Sequence, residues 1–137
     1  MIDKKKLMVF YFAYQEINRI VDLSKYNLTS NQQKMLFSID TIDEITIKQL
    51  LQILDISKQA LNVACRDLRE RNLVYTGPAK SDKRKKVVYL TDDGRKLIEQ
   101  IEAEQLNFIN AICNSTNYNW EDTMKKLTDS YLEDIQK

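Results

Sequence analysis

Glycine and proline are almost absent from this chain of 137 residues, and their positions constrain its fold more than any other feature. There are two glycines and one proline, and all three lie between residues 77 and 94. Elsewhere the chain has few residues that interrupt a helix, so it is expected to be mostly helical. Residues 77–94 are expected to contain a turn and strand residues. The sequence therefore predicts a mainly α fold with one small β-hairpin.

The hairpin is expected to lead directly into a helix. Val87–Leu90 is β-branched and aromatic, which predicts a strand, and Leu73–Thr76 predicts its partner. Thr91 follows at the position of a helix N-cap, with two aspartates in the first turn, where carboxylates stabilise the positive end of the helix dipole. A charged hairpin tip that runs into a capped helix is typical of the wing of a winged helix.

The loop between these strands concentrates positive charge. Its five cations are Lys80, Lys83, Arg84, Lys85 and Lys86, and Asp82 is the carboxylate among them. Five like charges repel one another and contribute nothing to a core, so the loop is expected to meet a polyanion, most commonly a phosphate backbone. Residues 56–96 hold eleven Lys/Arg and five Asp/Glu, although the whole chain carries a net charge of only +1. The alternative interpretation of such a run is a solvated face.

Capping signals and apolar periodicity predict six helices. They are expected from Leu7 to about Ser24, from near Thr29, from near Thr46, from Ser57 to about Arg71, beyond Thr91, and along the stripe Trp120, Met124, Leu127, Tyr131 and Ile135. Gln32 and Gln49 each follow a cap threonine by three residues, which is the spacing of a capping box. Asn72 suits the end of the fourth helix because asparagine tolerates the left-handed conformation. A polar break is expected over Asn114–Asn119.

The third and fourth helices are separated only by Asp55-Ile56, which predicts a helix-turn-helix. Leu61, Cys65 and Leu68 fall on one face of the fourth helix and are expected to pack inward. The residues at its start and on the opposite face that we expect to bind DNA are Ser57, Lys58, Gln59, Asn62, Arg66 and Arg69. A helix fits the major groove, where Arg and Lys read guanine and Asn and Gln read adenine. An ordinary polar helix face is the alternative, and the short turn before it and the basic hairpin after it favour DNA.

Several functional classes are disfavoured by what the chain lacks. It has no histidine, no Gly-rich phosphate loop and no Cys-His pair, so an enzyme, a cofactor and a metal site are not expected. No apolar run reaches the length of a membrane span, and two widely separated cysteines predict a cytoplasmic protein with reduced thiols. Cys65 is expected to be buried and inert, and Cys113 more exposed. Neither shows the nearby positive charge that a sensor thiol needs, so redox sensing is disfavoured.

Two sets of motifs resemble the MarR family of winged helix-turn-helix transcription regulators, and the resemblance covers nearly the whole chain. Asp82-x-Arg84 followed by Leu90-Thr91-x-x-Gly94-x-x-Leu97 is similar to the family's wing and the helix after it. Leu50-x-x-x-Leu54-x-Ile56-Ser57 leading to Leu68-x-x-x-Asn72-Leu73-Val74 is similar to its helix-turn-helix and first wing strand. Asn72 departs from the family, which commonly has glycine there, but asparagine supports the same backbone conformation.

The resemblance implies a homodimer whose terminal helices interleave. Residues 1–137 are then expected to form a single domain, with dimerisation helices at 1–27 and 98–137 and a winged helix-turn-helix DNA-binding region at 28–97. It also implies a regulator, often a repressor, that binds pseudo-palindromic double-stranded DNA with its recognition helix in the major groove. Family members often release DNA when a small phenolic or lipophilic inducer binds. Tyr11, Phe12 and Tyr14 are candidates to line such a pocket, although aromatic residues on a helix are more often core.

The resemblance further implies roles within the wing. Arg84 is expected to enter the minor groove, where narrow A·T-rich sequences concentrate negative potential. Asp82 is expected to orient the wing or Arg84 by a charge-assisted hydrogen bond. Lys83, Lys85 and Lys86 are expected to contact phosphates, which gives affinity with little sequence information. Two other functions stay open: a winged-helix protein-interaction module, and an architectural protein that binds DNA through phosphates alone.

Overall fold

Six α-helices and one antiparallel β-hairpin make up the computed structural model, which describes residues 2–114 and 119–137. The helices are α1 (Lys4–Arg19), α2 (Ser30–Thr41), α3 (Ile47–Leu54), α4 (Lys58–Glu70), α5 (Asp92–Cys113) and α6 (Trp120–Gln136). A 3-10 helix (Leu23–Tyr26) precedes α2, and the strands are β1 (Val74–Pro78) and β2 (Lys86–Leu90). The predicted break before α6 lies largely outside the described residues. No helix within the described ranges is long and apolar enough to cross a membrane.

Capping boxes begin both α2 and α3, as the sequence predicts. The Thr29 hydroxyl accepts a hydrogen bond from the backbone N–H of Gln32 at 3.1 Å, and the Gln32 side chain accepts one from the N–H of Thr29 at 3.0 Å. Thr46 and Gln49 repeat the arrangement at 3.2 and 2.9 Å. Each cap stabilises its helix by about 0.5–2 kcal/mol, so the starts of α2 and α3 are set by local sequence.

The first helix differs at both ends from the predicted range Leu7–Ser24. Asp3 begins it earlier by accepting a hydrogen bond from the N–H of Lys6 at 3.2 Å, and it ends at Arg19. Asp22 then accepts from the N–H of Ser24 at 3.1 Å and starts the separate 3-10 helix. A second cap inside the apolar stripe is therefore what divides the predicted helix in two.

The hairpin extends further along β1 than predicted. Its register runs from Val74 opposite Leu90 to Pro78 opposite Lys86, so Gly77 and Pro78 lie in the strand rather than in the loop. Pro78 is tolerated because it closes the strand, where a missing N–H leaves the ladder intact. The Tyr89 hydroxyl donates to the Pro78 carbonyl at 2.7 Å and ties this end together. We call residues 74–90 the wing and residues 80–86 the basic wing loop.

The core lies between α2, α3, α4, α5 and the wing. Its largest fully buried side chains include Met35, Leu36, Ile45, Leu50, Leu61, Leu68, Val87, Val88, Ile98 and Ile101. The predicted inward face of α4 is confirmed, since Cys65 is buried together with its leucine neighbours. Asn72 adopts the predicted left-handed conformation with φ of 57° and directs the chain from α4 into β1.

The start of α5 packs tightly on the residue before β1. The Thr91 hydroxyl donates to the Asn72 carbonyl at 2.7 Å and accepts from the N–H of Gly94 at 2.9 Å. A Cβ placed on Gly94 would lie 2.0 Å from the carbonyl oxygen of Leu73. This position of the family-like motif therefore requires glycine because the backbones are in contact.

The terminal helices leave much apolar surface uncovered. No side chain of α1 is buried, and Tyr11, Phe12 and Tyr14 are each more than half exposed. Interpreting these aromatic residues as core is therefore wrong for the single chain. On α6, Ile135 is buried, whereas Leu127 of the same predicted stripe is 62% exposed. Part of the predicted stripe of α6 thus packs in the core of this chain, and part of it is exposed to solvent.

Candidate nucleic-acid interface

The outward face of α4 carries the polar side chains that the sequence singles out. Ser57, Lys58, Gln59, Asn62, Arg66 and Arg69 are all exposed. Ser57 also has a structural role, because its hydroxyl accepts a hydrogen bond from the N–H of Ala60 at 3.0 Å and caps the helix. The other five keep their donors available, so the face offers the groups that read base edges in a major groove.

A partly buried hydrogen bond links α4 to α2. Gln32 is only 5% exposed, and its Nε2 donates to Oδ2 of Asp67 at 2.6 Å. Arg71 lies 3.7 Å from the same carboxylate and donates to the carbonyl of Asn27 at 2.8 Å. The contacts of Asp67 with Gln32 and of Arg71 with Asn27 therefore hold α4 against α2 and the segment before it. Sequence reasoning finds Gln32 only as a capping partner, because nothing local indicates a partner 35 residues away.

The tip of the wing presents an oriented guanidinium. Asp82 accepts from the backbone N–H of Arg84 at 3.0 Å, from its Nε at 3.1 Å and from its Nη2 at 3.2 Å. These hydrogen bonds, with the side-chain ones largest, lower the pKa of Asp82 and keep it ionised. The Arg84 side chain is nonetheless 91% exposed. Arg84 is therefore restrained in direction, while the N–H donors of its guanidinium that do not bind Asp82 remain open to a ligand.

In the part of the chain that the structure describes, no lysine of the basic wing loop forms an ion pair with a carboxylate. Lys80, Lys83, Lys85 and Lys86 are all exposed. Among the described residues, the ion pairs that form use other cations, so none of these four ammonium groups is bound to a carboxylate. The loop thus presents uncompensated positive charge, as the sequence indicates.

The wing and α4 lie next to each other at their bases. Burial raises the pKa of the Cys65 thiol, while Arg69 on α4 and Lys86 on β2 both act in the opposite direction. The adjacency itself comes from packing, since α4 contacts β1 and Cys65 and Leu68 share one core with Val74 and Val88.

Cys65 is buried, as the sequence predicts, but the expectation that no positive charge lies near it is wrong, since Arg69 and Lys86 both act on it. Burial outweighs the two cations and raises the pKa of Cys65, which disfavours the reactive thiolate. Cys113 is half-buried.

The wing is also attached to the loop between α2 and α3. The N–H of Val88 donates to the carbonyl of Ile45 at 3.0 Å, and Thr46 forms an isolated bridge with Val87. Glu44 accepts two hydrogen bonds from Ser81, one of them from the N–H at 3.0 Å. Nothing near Glu44 in the sequence indicates this contact with the wing, because the partners are 37 residues apart.

A pair of carboxyl groups lies behind the interface, between α2 and α5. Asp40 accepts a hydrogen bond from Nη1 of Arg95 at 2.5 Å. Oε1 of Glu102 is buried without a hydrogen-bond partner. Burial first, and then the neighbouring carboxyl of Asp40, raise the pKa of Glu102 to about 7. A proton on Glu102 relieves the repulsion between the two carboxyl groups where α5 packs on α2.

Comparison with known proteins gives one family match. Residues 26–85 match the sequence model of the MarR family. The HTH-type transcriptional regulator PetP of Rhodobacter capsulatus is 26% identical over 106 residues, or 74% of this chain. That match spans 63% of the length of PetP. The matched residues contain the helix-turn-helix and most of the basic wing loop.

Solved structures are similar over almost the full length. S. aureus MepR in its DNA-binding conformation has a TM-score of 0.72 and 19% identity, with 95% of this chain and 98% of MepR covered. A mutant of S. aureus MepR bound to an oligodeoxyribonucleotide has a TM-score of 0.58 and 19% identity, with coverage of 98% and 99%. The likeness confirms the predicted fold class, a mainly α winged helix-turn-helix with additional helices at both ends.

Proposed function

We propose that this chain is a transcriptional regulator of the MarR family, whose sequence model matches residues 26–85, and that it binds double-stranded DNA in a sequence-specific way. We propose further that it binds a pseudo-palindromic operator as a homodimer and acts as a repressor. The observation that carries the proposal is one continuous surface with base-reading donors on α4 and a basic wing beside them. A mutant of MepR, which is similar in fold, has been solved bound to an oligodeoxyribonucleotide.

The two parts of this surface suit the two grooves of a duplex. α4 is exposed along its polar face and enters the major groove, where Gln59, Asn62 and Arg66 meet base edges. The wing reaches the adjacent minor groove with Arg84 leading. The four unpaired lysines meet phosphates, which fix the position of the protein without reading sequence. The proposal therefore separates residues that give specificity from residues that give affinity.

Dimerisation uses the terminal helices. The exposed apolar side chains of α1, including Leu7, Phe10 and Tyr14, are more surface than a monomer ordinarily leaves open. A second copy of the chain would cover them, with residues 1–27 and 98–137 of each subunit taking part. Ile98 and Ile101 are buried in their own subunit, so within residues 98–137 a partner would meet the other side chains of α5.

A small-molecule inducer is part of the proposal through the family resemblance. Tyr11, Phe12 and Tyr14 lie on the helix that joins the dimerising end to the rest of the chain. An apolar or phenolic compound that inserts among these rings would alter the spacing of the two wings. The proposed site of action is the cytoplasm, where DNA and small-molecule effectors are both accessible.

Salt dependence of DNA binding tests the phosphate contacts. The logarithm of the association constant should fall linearly with the logarithm of salt concentration, and Lys85→Ala should make that slope shallower by about one unit. Lys126→Ala, on exposed α6, is the control of equal charge and should leave the slope unchanged. If the unmodified protein, Lys85→Ala and Lys126→Ala all gave the same slope, Lys85 would not contact a phosphate.

The two alternatives predict different binding data. An architectural protein would bind all duplexes with nearly equal affinity and lose them steeply with salt. A protein-interaction module would show weak binding that does not depend on the basic wing loop. The restrained Arg84 and the exposed amides of α4 favour sequence reading over both.

A further inference from the structure

Glu44 combines a strained backbone with contacts far along the chain. It lies in the short loop between α2 and α3 and has φ of 53°, in the left-handed region that non-glycine residues rarely adopt. Such conformations persist only where surrounding contacts hold them. At Glu44 those contacts come from the wing, which makes the residue more than a connector between helices.

The contacts attach Glu44 to the first part of the basic wing loop. Its Oε1 accepts from the N–H of Ser81 at 3.0 Å, and its Oε2 accepts from the Ser81 hydroxyl. These bonds to Ser81, together with Lys80, lower the pKa of Glu44 and keep it a carboxylate. Ser81 is thus held through both of its donors, three positions before Arg84.

We propose that Glu44 is a positioning residue for the wing: it fixes Ser81 against the helix-turn-helix and thereby sets where Arg84 lies relative to α4. This inference rests on the proposed DNA-binding function and deepens it. The other hydrogen-bonded links between the described wing residues and the start of the helix-turn-helix lie lower on the hairpin, at Val87 and Val88, where the wing also packs on the core. A hairpin attached only at its base can swing at its tip, and the contact at Ser81 restricts that motion.

The internal bonds of the loop carry the restraint onward. The N–H of Ala79 donates to the Lys85 carbonyl at 2.9 Å, and the N–H of Lys85 donates to the Asp82 carbonyl at 3.0 Å. Asp82 in turn orients Arg84. From Ser81 the path continues through the peptide bond to Asp82, whose carboxylate orients Arg84, and the two loop hydrogen bonds brace this segment. Because ordering costs are met before DNA arrives, a positioned wing binds its groove more tightly than a mobile one.

The sign of the mutational effect separates positioning from simple electrostatics. Removing a carboxylate beside a DNA-binding surface should strengthen binding if only charge matters, because repulsion of phosphates decreases. If Glu44 positions the wing, its removal should weaken binding to the preferred duplex instead. Asp43 is the matched control, since it is the adjacent carboxylate, is exposed, and is not among the groups that contact Ser81.

The experiment compares Glu44→Ala and Asp43→Ala for binding to the preferred duplex and to a scrambled duplex. We expect Glu44→Ala to lower the ratio of specific to non-specific affinity about tenfold, the size of one or two lost charge-assisted hydrogen bonds. Asp43→Ala should leave that ratio unchanged. In the Arg84→Ala background, Glu44→Ala should have little further effect, because its role is exerted through Arg84. An unchanged or raised ratio for Glu44→Ala, or full additivity with Arg84→Ala, would overturn the proposal.

A second measurement is independent of DNA. Hydrogen exchange of the Ser81 amide should be faster in Glu44→Ala than in Asp43→Ala, with core amides of α4 equally protected in both. Equal exchange at Ser81 would show that Glu44 does not restrain the loop, whatever the protein binds. If exchange changes as expected but the unmodified protein does not distinguish the two duplexes, the proposed function fails while the contact itself stands.

Discussion

Arg84 donates three hydrogen bonds to Asp82 and still leaves its side chain 91% exposed. An exposed arginine ordinarily samples many rotamers, and ordering it on binding costs about 1–2 kcal/mol. Asp82 removes part of that cost in the free protein. The pair therefore holds a guanidinium in an ordered, exposed position, as the proposed insertion into a narrow groove requires.

Arg84→Ala should weaken binding to the preferred duplex and reduce the preference for A·T base pairs where the wing lies, by about 1–3 kcal/mol. Asp82→Ala should cause a smaller loss, because the guanidinium remains but is no longer oriented. Competition binding with A·T- and G·C-flanked duplexes measures both effects, and sedimentation should show an unchanged oligomeric state. Equal affinity of Arg84→Ala and the unmodified protein would exclude Arg84 from the minor groove.

Substitutions on α4 should have position-specific effects. Asn62→Ala, Gln59→Ala and Arg66→Ala should each relax the preference at particular base pairs and cost about 1–3 kcal/mol where a bidentate contact is lost. Glu70→Ala, at the exposed end of the same helix, should leave the base preference unaltered. Binding to a panel of single-base variants distinguishes the cases. Loss that is uniform over all base positions would identify these side chains as backbone contacts.

Stability should fall as pH rises through the range in which Glu102 loses its proton. The pKa of Glu102 is about 7 in the folded protein against an ordinary value of 4.5, so the folded state binds more protons than the unfolded state between about pH 5 and 7. This contribution is present at low pH and is lost as pH approaches and passes 7. Since Glu102 is partly solvated, the free energy of unfolding should fall by about 1 kcal/mol, which is less than the full difference in pKa would give.

Glu102→Gln isolates this effect. An amide cannot ionise and can donate a hydrogen bond to Asp40, so the variant should be more stable than the unmodified protein at pH 8 and nearly equal to it at pH 5. Glu133→Gln, on the exposed side of α6, controls for the removal of one charge. Urea unfolding at several pH values supplies the comparison. A constant difference between Glu102→Gln and the unmodified protein at all pH values would contradict the assignment.

The two glycines should respond very differently to alanine. A Cβ at Gly94 would lie 2.0 Å from the carbonyl oxygen of Leu73. Because that oxygen belongs to the backbone, relieving the clash would require a shift of the main chain. Gly94→Ala should therefore destabilise the fold by about 3 kcal/mol or more. At Gly77 the nearest atom is a Tyr89 ring carbon at 3.6 Å, an ordinary contact, so Gly77→Ala should be far milder. Thermal unfolding of both variants tests this, and similar melting temperatures would mean that the contact with Leu73 can relax.

The features that the sequence predicts well are those decided by neighbours in the chain. The caps at Thr29, Thr46 and Ser57 and the left-handed Asn72 depend on residues within four positions, so their sequence signals are direct. The predicted end of α1 is wrong because a second cap at Asp22 competes with a continuous apolar stripe.

The features that the sequence misses involve partners distant in the chain. Gln32 with Asp67 and Glu44 with Ser81 are 35 and 37 residues apart. Asp40 and Arg95 are 55 apart. Such pairs form only when the helices are packed, and no local pattern indicates them. The apolar stripe of α1 shows a different limit, because helical spacing is the same for a core face and for a face that a second subunit would cover.

Selection of bound duplexes from a random DNA pool at physiological salt tests the central claim most directly. The purified, unmodified protein should enrich a pseudo-palindrome whose half-sites are about one helical turn apart, as two winged helices related by a two-fold axis require. Recovery of unenriched DNA, retained weakly and lost with modest salt, would contradict sequence-specific regulation and favour binding through phosphates alone.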